Sequence, residues 1–180
     1  MTNLIFSSLP VLALTSHVVF VVLFAILIFH ASWGKKVALL IGKHSLIIGF
    51  AASFAAIAGS LFYSEIMGFE ACSLCWWQRV FLFPTVFIFA VALWRKDRKV
   101  FSYIMPLIVL GGIIAAYQAQ VDFGGTSLLT CTDAEGTCSK IFVKEFGYIT
   151  IPTMSLTVAF YMALIAWASK IYDKNSNAQR

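Results

Sequence analysis

Five stretches of about twenty mostly apolar residues dominate this chain, and about twenty is the length a helix needs to cross a bilayer. They run from about Val11 to Phe29, Ser45 to Ser64, Trp76 to Trp94, Val100 to Gln118 and Tyr148 to Ala168. Lipid offers no partner to a backbone N–H or C=O, so a crossing segment must satisfy these groups internally. The pattern predicts an all-α integral membrane fold. Composition agrees: 61% of the 180 residues are hydrophobic and 12% are charged, about half the charged share of a soluble domain. No hydrophilic stretch is long enough for a second fold, so residues 1–180 read as a single membrane domain. The net charge of +5 does not point to nucleic acid. The charges sit in short connections between apolar runs, which is how a membrane protein marks its cytoplasmic side.

Orientation follows from the 13 Lys and Arg residues. Lys35, Lys36 and Lys43 lie between the first two segments, Arg95, Lys96, Arg98 and Lys99 between the third and fourth, and Lys170, Lys174 and Arg180 after the fifth. These three regions alternate in topology, so all can face the cytoplasm. Only Arg79, Lys140 and Lys144 fall on the other side. The positive-inside rule then places the amino terminus outside. The first segment lacks the basic start of a cleaved signal peptide, and its apolar run is too long for one. It is expected to be a permanent anchor over 11–29.

Two outer connections result, a short one over 65–74 and a longer one over 119–147. Within the second, Ile141, Phe142, Phe146 and Ile149 recur at near-helical spacing with Lys140, Lys144 and Glu145 between them. The spacing from Ser139 to Tyr148 fits a short helix in the membrane interface, or else the frayed start of the fifth segment.

All four cysteines fall on the outer side by this topology. Cys72 and Cys75 form a Cys-x-x-Cys pair where the first outer connection enters the third segment; Cys131 and Cys138 lie in the second outer connection. Outside the cytoplasm is where disulfides persist, and an even number on one face argues for redox pairs. Cys75 is expected in the first turn of a helix, where unpaired N–H groups and the helix dipole favour an anion. Arg79, four residues on, shares its face. A free thiol is only about 3% thiolate at pH 7, so a site that stabilises the anion gains a better leaving group and electron donor. Arg79 has a plainer reading, snorkelling to the interface. A charge one turn inside a membrane helix is costly, however, and by default marks a functional site. Trp76 and Trp77 read first as an interfacial aromatic belt, with a mixed role for Trp76 beside Cys75.

Zinc fits poorly, because the six residues between Cys131 and Cys138 exceed the usual arm of a structural site. Two inert disulfides would not need a helix start beside an arginine. Pro152 suits the first turn of a helix. The histidines His17, His30 and His44 read as structural, remote from the cysteines.

Cys72-Ser-Leu-Cys75-Trp-Trp-Gln-Arg79, running on to Pro84, resembles the signature of the DsbB/BdbC disulfide-oxidoreductase family. Gly147-Tyr-Ile-Thr-Ile-Pro152-Thr-Met-Ser155-Leu resembles the start of that family's last helix in its BdbC-type branch. The resemblance covers about Ser45 to Lys170. It implies a four-helix bundle formed by segments two to five (45–169), with the first segment an accessory helix, in the bacterial cytoplasmic (inner) membrane. It implies a quinone-linked thiol oxidase that reoxidises a thioredoxin-like, DsbA-type partner, with ubiquinone or menaquinone as acceptor. Carried onto this chain, the partner attacks a Cys131–Cys138 disulfide at Cys131. Cys138 then attacks Cys72, and Cys75 leaves as a thiolate beside Arg79. The quinone ring is expected near Cys75, with Arg79, Trp76 and Gln118 lining its site and no metal. Two departures stand out: the additional first segment, and a second cysteine pair closer together than in DsbB itself. The rival reading is a membrane docking or subunit protein with structural disulfides and no redox turnover.

Overall fold

The computed structural model describes residues 2–29, 31–125 and 142–178. Cys131, Cys138, Lys140 and Ile141 lie outside them, as do the first three residues (139–141) of the expected interfacial segment. Among the described residues the chain forms six helices: α1 (Thr2–Phe29), α2 (Ala31–Lys43), α3 (Ser45–Leu61), α4 (Ser73–Arg95), α5 (Val100–Asp122) and α6 (Ile151–Ala178). Five are long and apolar enough to cross a membrane, and even in α6 only 33% of the spanning window is buried. The rest is apolar surface, as on Val21, Phe87 and Trp94, which is the inside-out arrangement that lipid demands. The fold is all-α and multi-pass, as expected.

Helices α3 to α6 form a four-helix bundle in which α3 packs on α4, α4 on α5, α5 on α6, and α6 back on α3. Lipid supplies little hydrophobic drive between helices, so close approach must come from small residues. Helix α3 buries Ser45, Gly49 and Ser53, spaced four apart on one face. A Cβ on Gly49 would lie 2.6 Å from the ring of Phe89, so only glycine admits α4 this closely. Ser53 satisfies its hydroxyl on its own helix, at the carbonyl of Gly49 (2.9 Å). Phe89 packs edge-on to Phe101, with ring centroids 5.6 Å apart. These two join Ile104, Ile108, Met162 and Ile165 in the core, which fills the lysine-rich half of the bundle.

Helix α2 departs from the sequence reading, which left 30–44 as a connection between spans. Its 13 residues pack along the C-terminal part of α6 and against α1. Ala38 is fully buried there, and Gly42 sits so close to α6 that a Cβ would meet the carbonyl oxygen of Ala168 at 2.5 Å. The segment is too short and too charged to read as a span, and its apolar face finds a partner only because α6 continues past the membrane-length stretch. Arg98, between α4 and α5, ties this end together. It donates to Asp173 Oδ1 (2.6 Å), to the Gly42 carbonyl (2.6 Å) and to Ser169 Oγ (3.1 Å).

A second departure concerns the run up to α6. Residues 142–150 are neither an interfacial helix nor the frayed first turn of α6. Glu145 and Ile149 pair as an antiparallel bridge (N···O 3.1 and 2.9 Å) around a turn in which Phe146 (φ 51°) and Gly147 (φ 80°) take positive φ. Left-handed backbone at two successive residues ends any helix. Periodicity misled here because Gly147 dictates a hairpin turn that side-chain spacing does not register. Helix α6 then starts as Pro152 predicts, in its first turn. Thr150 precedes it, and Thr153 Oγ1 accepts from the Thr150 N–H (2.8 Å).

Candidate active site

The Cys-x-x-Cys pair is set by helix capping. Cys72 is the N-cap of α4, in extended conformation (φ −70°, ψ 169°), and its sulfur accepts from the Cys75 N–H (3.4 Å). An oxygen side chain ordinarily fills that position. The capping geometry turns both sulfurs the same way and holds them 3.1 Å apart. Cys75 therefore lies in the first helical turn, as the sequence indicated. Cys72 is 3% exposed.

Gln118 of α5, 5% exposed, reaches both sulfurs. Its Nε2 donates to Cys72 Sγ at 3.3 Å and to Cys75 Sγ at 3.4 Å, and its Oε1 accepts from Gln78 Nε2 at 2.8 Å. The amide thus spends each hydrogen on one sulfur, and Gln78 fixes which way round it lies.

Arg79 is buried but makes no hydrogen bond to Cys75. Its Nε donates to Ser60 Oγ (3.1 Å) and its Nη2 to the Ser60 carbonyl (3.2 Å). That carbonyl stands just before a π-helical turn, Phe62–Ile66, that ends α3; such turns recur at functional sites. The guanidinium also lies 5.1 Å from the centroid of Trp76. Its charge reaches the Cys75 sulfur through space. Trp76 itself is 58% exposed and does not line the cavity described next; its ring lies against Arg79.

Cys72 and Cys75 form part of the wall of a cavity of about 490 Å³ between α1, α3, α4, α5 and α6, within the size range of small-molecule sites. Gln118 and Arg79 line it as well. So do two residues the sequence did not single out. Thr150 Oγ1 is buried with no partner within hydrogen-bond distance among the described residues, and the Asp122 carboxyl of the same wall is the acceptor beside it; no local motif announces this placement. His17, read from sequence as structural and remote, lines the same cavity. The signal for it was present: a polar ring inside an apolar span is costly and marks a site by default. It lies six residues past Val11, in the half of the apolar span that shares the cysteines' side by the charge bias. Cys131 and Cys138 lie outside the described residues.

The matching family model is described as disulfide bond formation protein DsbB and covers residues 42–169. The chain is 35% identical over 115 residues to a probable disulfide formation protein C of Bacillus cereus, covering 63% of this chain and 83% of that protein. It is 39% identical over 113 residues to an SPbeta prophage-derived disulfide bond formation protein B of Bacillus subtilis, covering 63% and 76%. With a probable disulfide formation protein of Coxiella burnetii it shares 33% identity over 126 residues, covering 69% and 86%. No solved structure matches. A multi-pass helical bundle that presents a Cys-x-x-Cys pair at a helix start, and a family match across the whole of that bundle, lead to one conclusion: the chain belongs to the DsbB family of disulfide bond formation proteins.

Proposed function

We propose that this chain is a membrane thiol oxidase that turns the dithiol of a thioredoxin-like, DsbA-type partner into a disulfide and delivers the electrons to a membrane quinone. One observation carries the reading: the Cys72–Cys75 pair, Cys72 buried and Cys75 half-buried, lies in the wall of a cavity bounded by helices of membrane-spanning length. A lipid-soluble acceptor reaches such a site without leaving the bilayer, whereas an inert structural disulfide has no use for it.

The fit of a quinone rests on the largely apolar lining of that cavity, on the Thr150 hydroxyl, which has no partner within hydrogen-bond distance among the described residues and stands beside Asp122, and on the neutral amide of Gln118 at the sulfurs. Cys75, Gln118, Thr150 and Arg79 would hold the ring of ubiquinone or menaquinone. Bound there, it supplies a two-electron acceptor for the pair of electrons released when two thiols close to a disulfide. The partner's thiolate opens a Cys131–Cys138 disulfide at Cys131, the freed Cys138 thiolate attacks Cys72 of a Cys72–Cys75 disulfide, and Cys75 leaves as a thiolate; the two protons of each dithiol oxidised go with its two electrons to the acceptor. At Cys75 the helix start and the Gln118 N–H favour the departing anion. Arg79 acts by position, braced between Ser60 and Trp76, with its charge felt at longer range. The cysteine end of the bundle faces outside the bacterial cytoplasmic membrane, and Arg98 with its lysine neighbours faces the cytoplasm, in line with the charge bias.

The test is purified protein, quinone and a reduced thioredoxin-like protein, with quinone absorbance followed over time. Wild type bleaches the quinone in proportion to the partner's thiols consumed, and Cys75→Ser abolishes the signal. Equal partner oxidation by wild type and by the Cys75→Ser and Arg79→Ala variants would leave a docking protein with structural disulfides as the correct reading.

A further inference from the structure

The cysteines occupy only one end of the cavity. Along α6 its wall extends from Pro152 to Ile165, and along the π-helical turn and α3 from Ser64 back to Ile48. At ~1.5 Å per residue these are roughly 20 and 24 Å of helix. Away from the sulfurs the lining is small and apolar: Ala52, Ala55, Ala56 and Gly59 from α3, Val158 and Ile165 from α6. The space is a groove lying lengthwise in the bilayer.

Helix α1 contributes Leu12, Ala13, Ser16 and His17 to its wall, yet α1 precedes the family-matched residues 42–169. It packs weakly, with 6% of its spanning window buried. What seats it on α6 is a polar cluster. Tyr161 OH donates to the Ser16 carbonyl, His17 Nε2 meets Thr157 Oγ1 at 2.6 Å, and His17 Nδ1 meets Tyr148 OH at 3.2 Å. Thr157 has a single hydrogen and gives it to the Thr153 carbonyl (2.8 Å). His17 must therefore donate from Nε2 and accept at Nδ1 from Tyr148, which fixes its tautomer. Below it Phe20 packs edge-on against Tyr161, with centroids 5.2 Å apart.

We propose that α1 is the lipid-side wall of a groove that holds the prenyl tail of the quinone, and that His17 is the positioning residue that keeps this wall on α6. The proposal rests on the quinone-linked reading above. The groove is continuous with the cysteine site, so a ring held at the sulfurs leaves its chain running along it. A phospholipid is a poorer occupant. Glu70 and Asp122 line the same cavity and would repel a phosphate, and the cation there, Arg79, is already engaged by Ser60.

The test compares two quinones in the oxidase assay, one with a full-length prenyl tail and one with a ring and no tail. The readout is the ratio of their KM values. His17→Ala is expected to shift that ratio about tenfold against the long-tailed quinone, the size expected for two lost interhelical hydrogen bonds. His17→Gln, which keeps one donor and one acceptor, is expected to return it towards wild type. Ala56→Phe narrows the groove from α3 and leaves the His17 hydrogen bonds in place; it is expected to shift the ratio the same way, which keeps the test sound if His17→Ala does not fold. An unchanged ratio in His17→Ala and Ala56→Phe, with wild type reducing both quinones, would overturn the tail groove alone. A wild type that reduces neither quinone overturns the oxidase reading and the groove with it.

Discussion

Gln118 carries two amide hydrogens, and the sulfurs of Cys72 and Cys75 each take one. A hydrogen bond to a charged acceptor is worth roughly 1.5–3 kcal/mol, so its loss is worth about ten- to a hundredfold in rate if the anion forms in the rate-limiting step. Gln118→Leu keeps the side chain's bulk and removes both donors. Thiol oxidation by this variant is expected to fall by about that factor with helicity unchanged, as stopped-flow assay and circular dichroism will show. Arg79 occupies a different place from the one its spacing implied. Four residues from Cys75 put it on the correct face, but the guanidinium turns to Ser60 and Trp76. A long flexible side chain goes where a carbonyl and a ring offer most, and sequence spacing records only the direction in which it starts.

At the scale of elements, α3 and the 142–150 turn show opposite lessons. The small-residue face of α3 carries its packing in plain sight, with Ser45, Gly49 and Ser53 every fourth residue. Gly49→Val would drive two methyl groups into the Phe89 ring, already 2.6 Å from an added Cβ. Overpacking of this kind costs about 1–3 kcal/mol, and reversible unfolding in mixed micelles is expected to show a loss in that range. The 142–150 segment, by contrast, has helical spacing and a hairpin backbone. Two positive φ values at Phe146 and Gly147 override the periodicity, because backbone sterics act on each residue while an amphipathic face needs several in register.

Taken whole, the molecule is solid on one side and hollow on the other. The core around Phe89, Ile104 and Met162 and the Arg98 cluster pack the lysine-rich end of α4, α5 and α6, while the cavity runs between α1, α3 and α6 from the cysteines to Ile48 and Ile165. Arg98→Ala removes a charged bond to Asp173 and two further acceptors. It is expected to cost about 2 kcal/mol of stability, read as a lower melting temperature in detergent, with thiol oxidation little changed because the cluster is not part of the cavity wall. Sidedness belongs to this scale too. In a chain whose four native cysteines are replaced by serine, a membrane-impermeant maleimide added to intact spheroplasts is expected to label a cysteine introduced at Glu70, just before position 72, and to leave one introduced at Ser102 unlabelled; the reverse pattern would invert the topology.

Hydropathy, segment length and the Cys-x-x-Cys spacing were enough to establish the five membrane-length helices, the start of α4 at the cysteines and the start of α6 at Pro152. These are local properties, written within about twenty residues of where they act. The cavity was not legible in the same way. Gln118 meets Cys72 across 46 residues of sequence and His17 meets Thr157 across 140, and α2 finds its partner only on a helix at the far end of the chain. Such meetings depend on how helices rotate and lean against one another. That is decided by packing between distant small residues, and no stretch of sequence taken alone contains it.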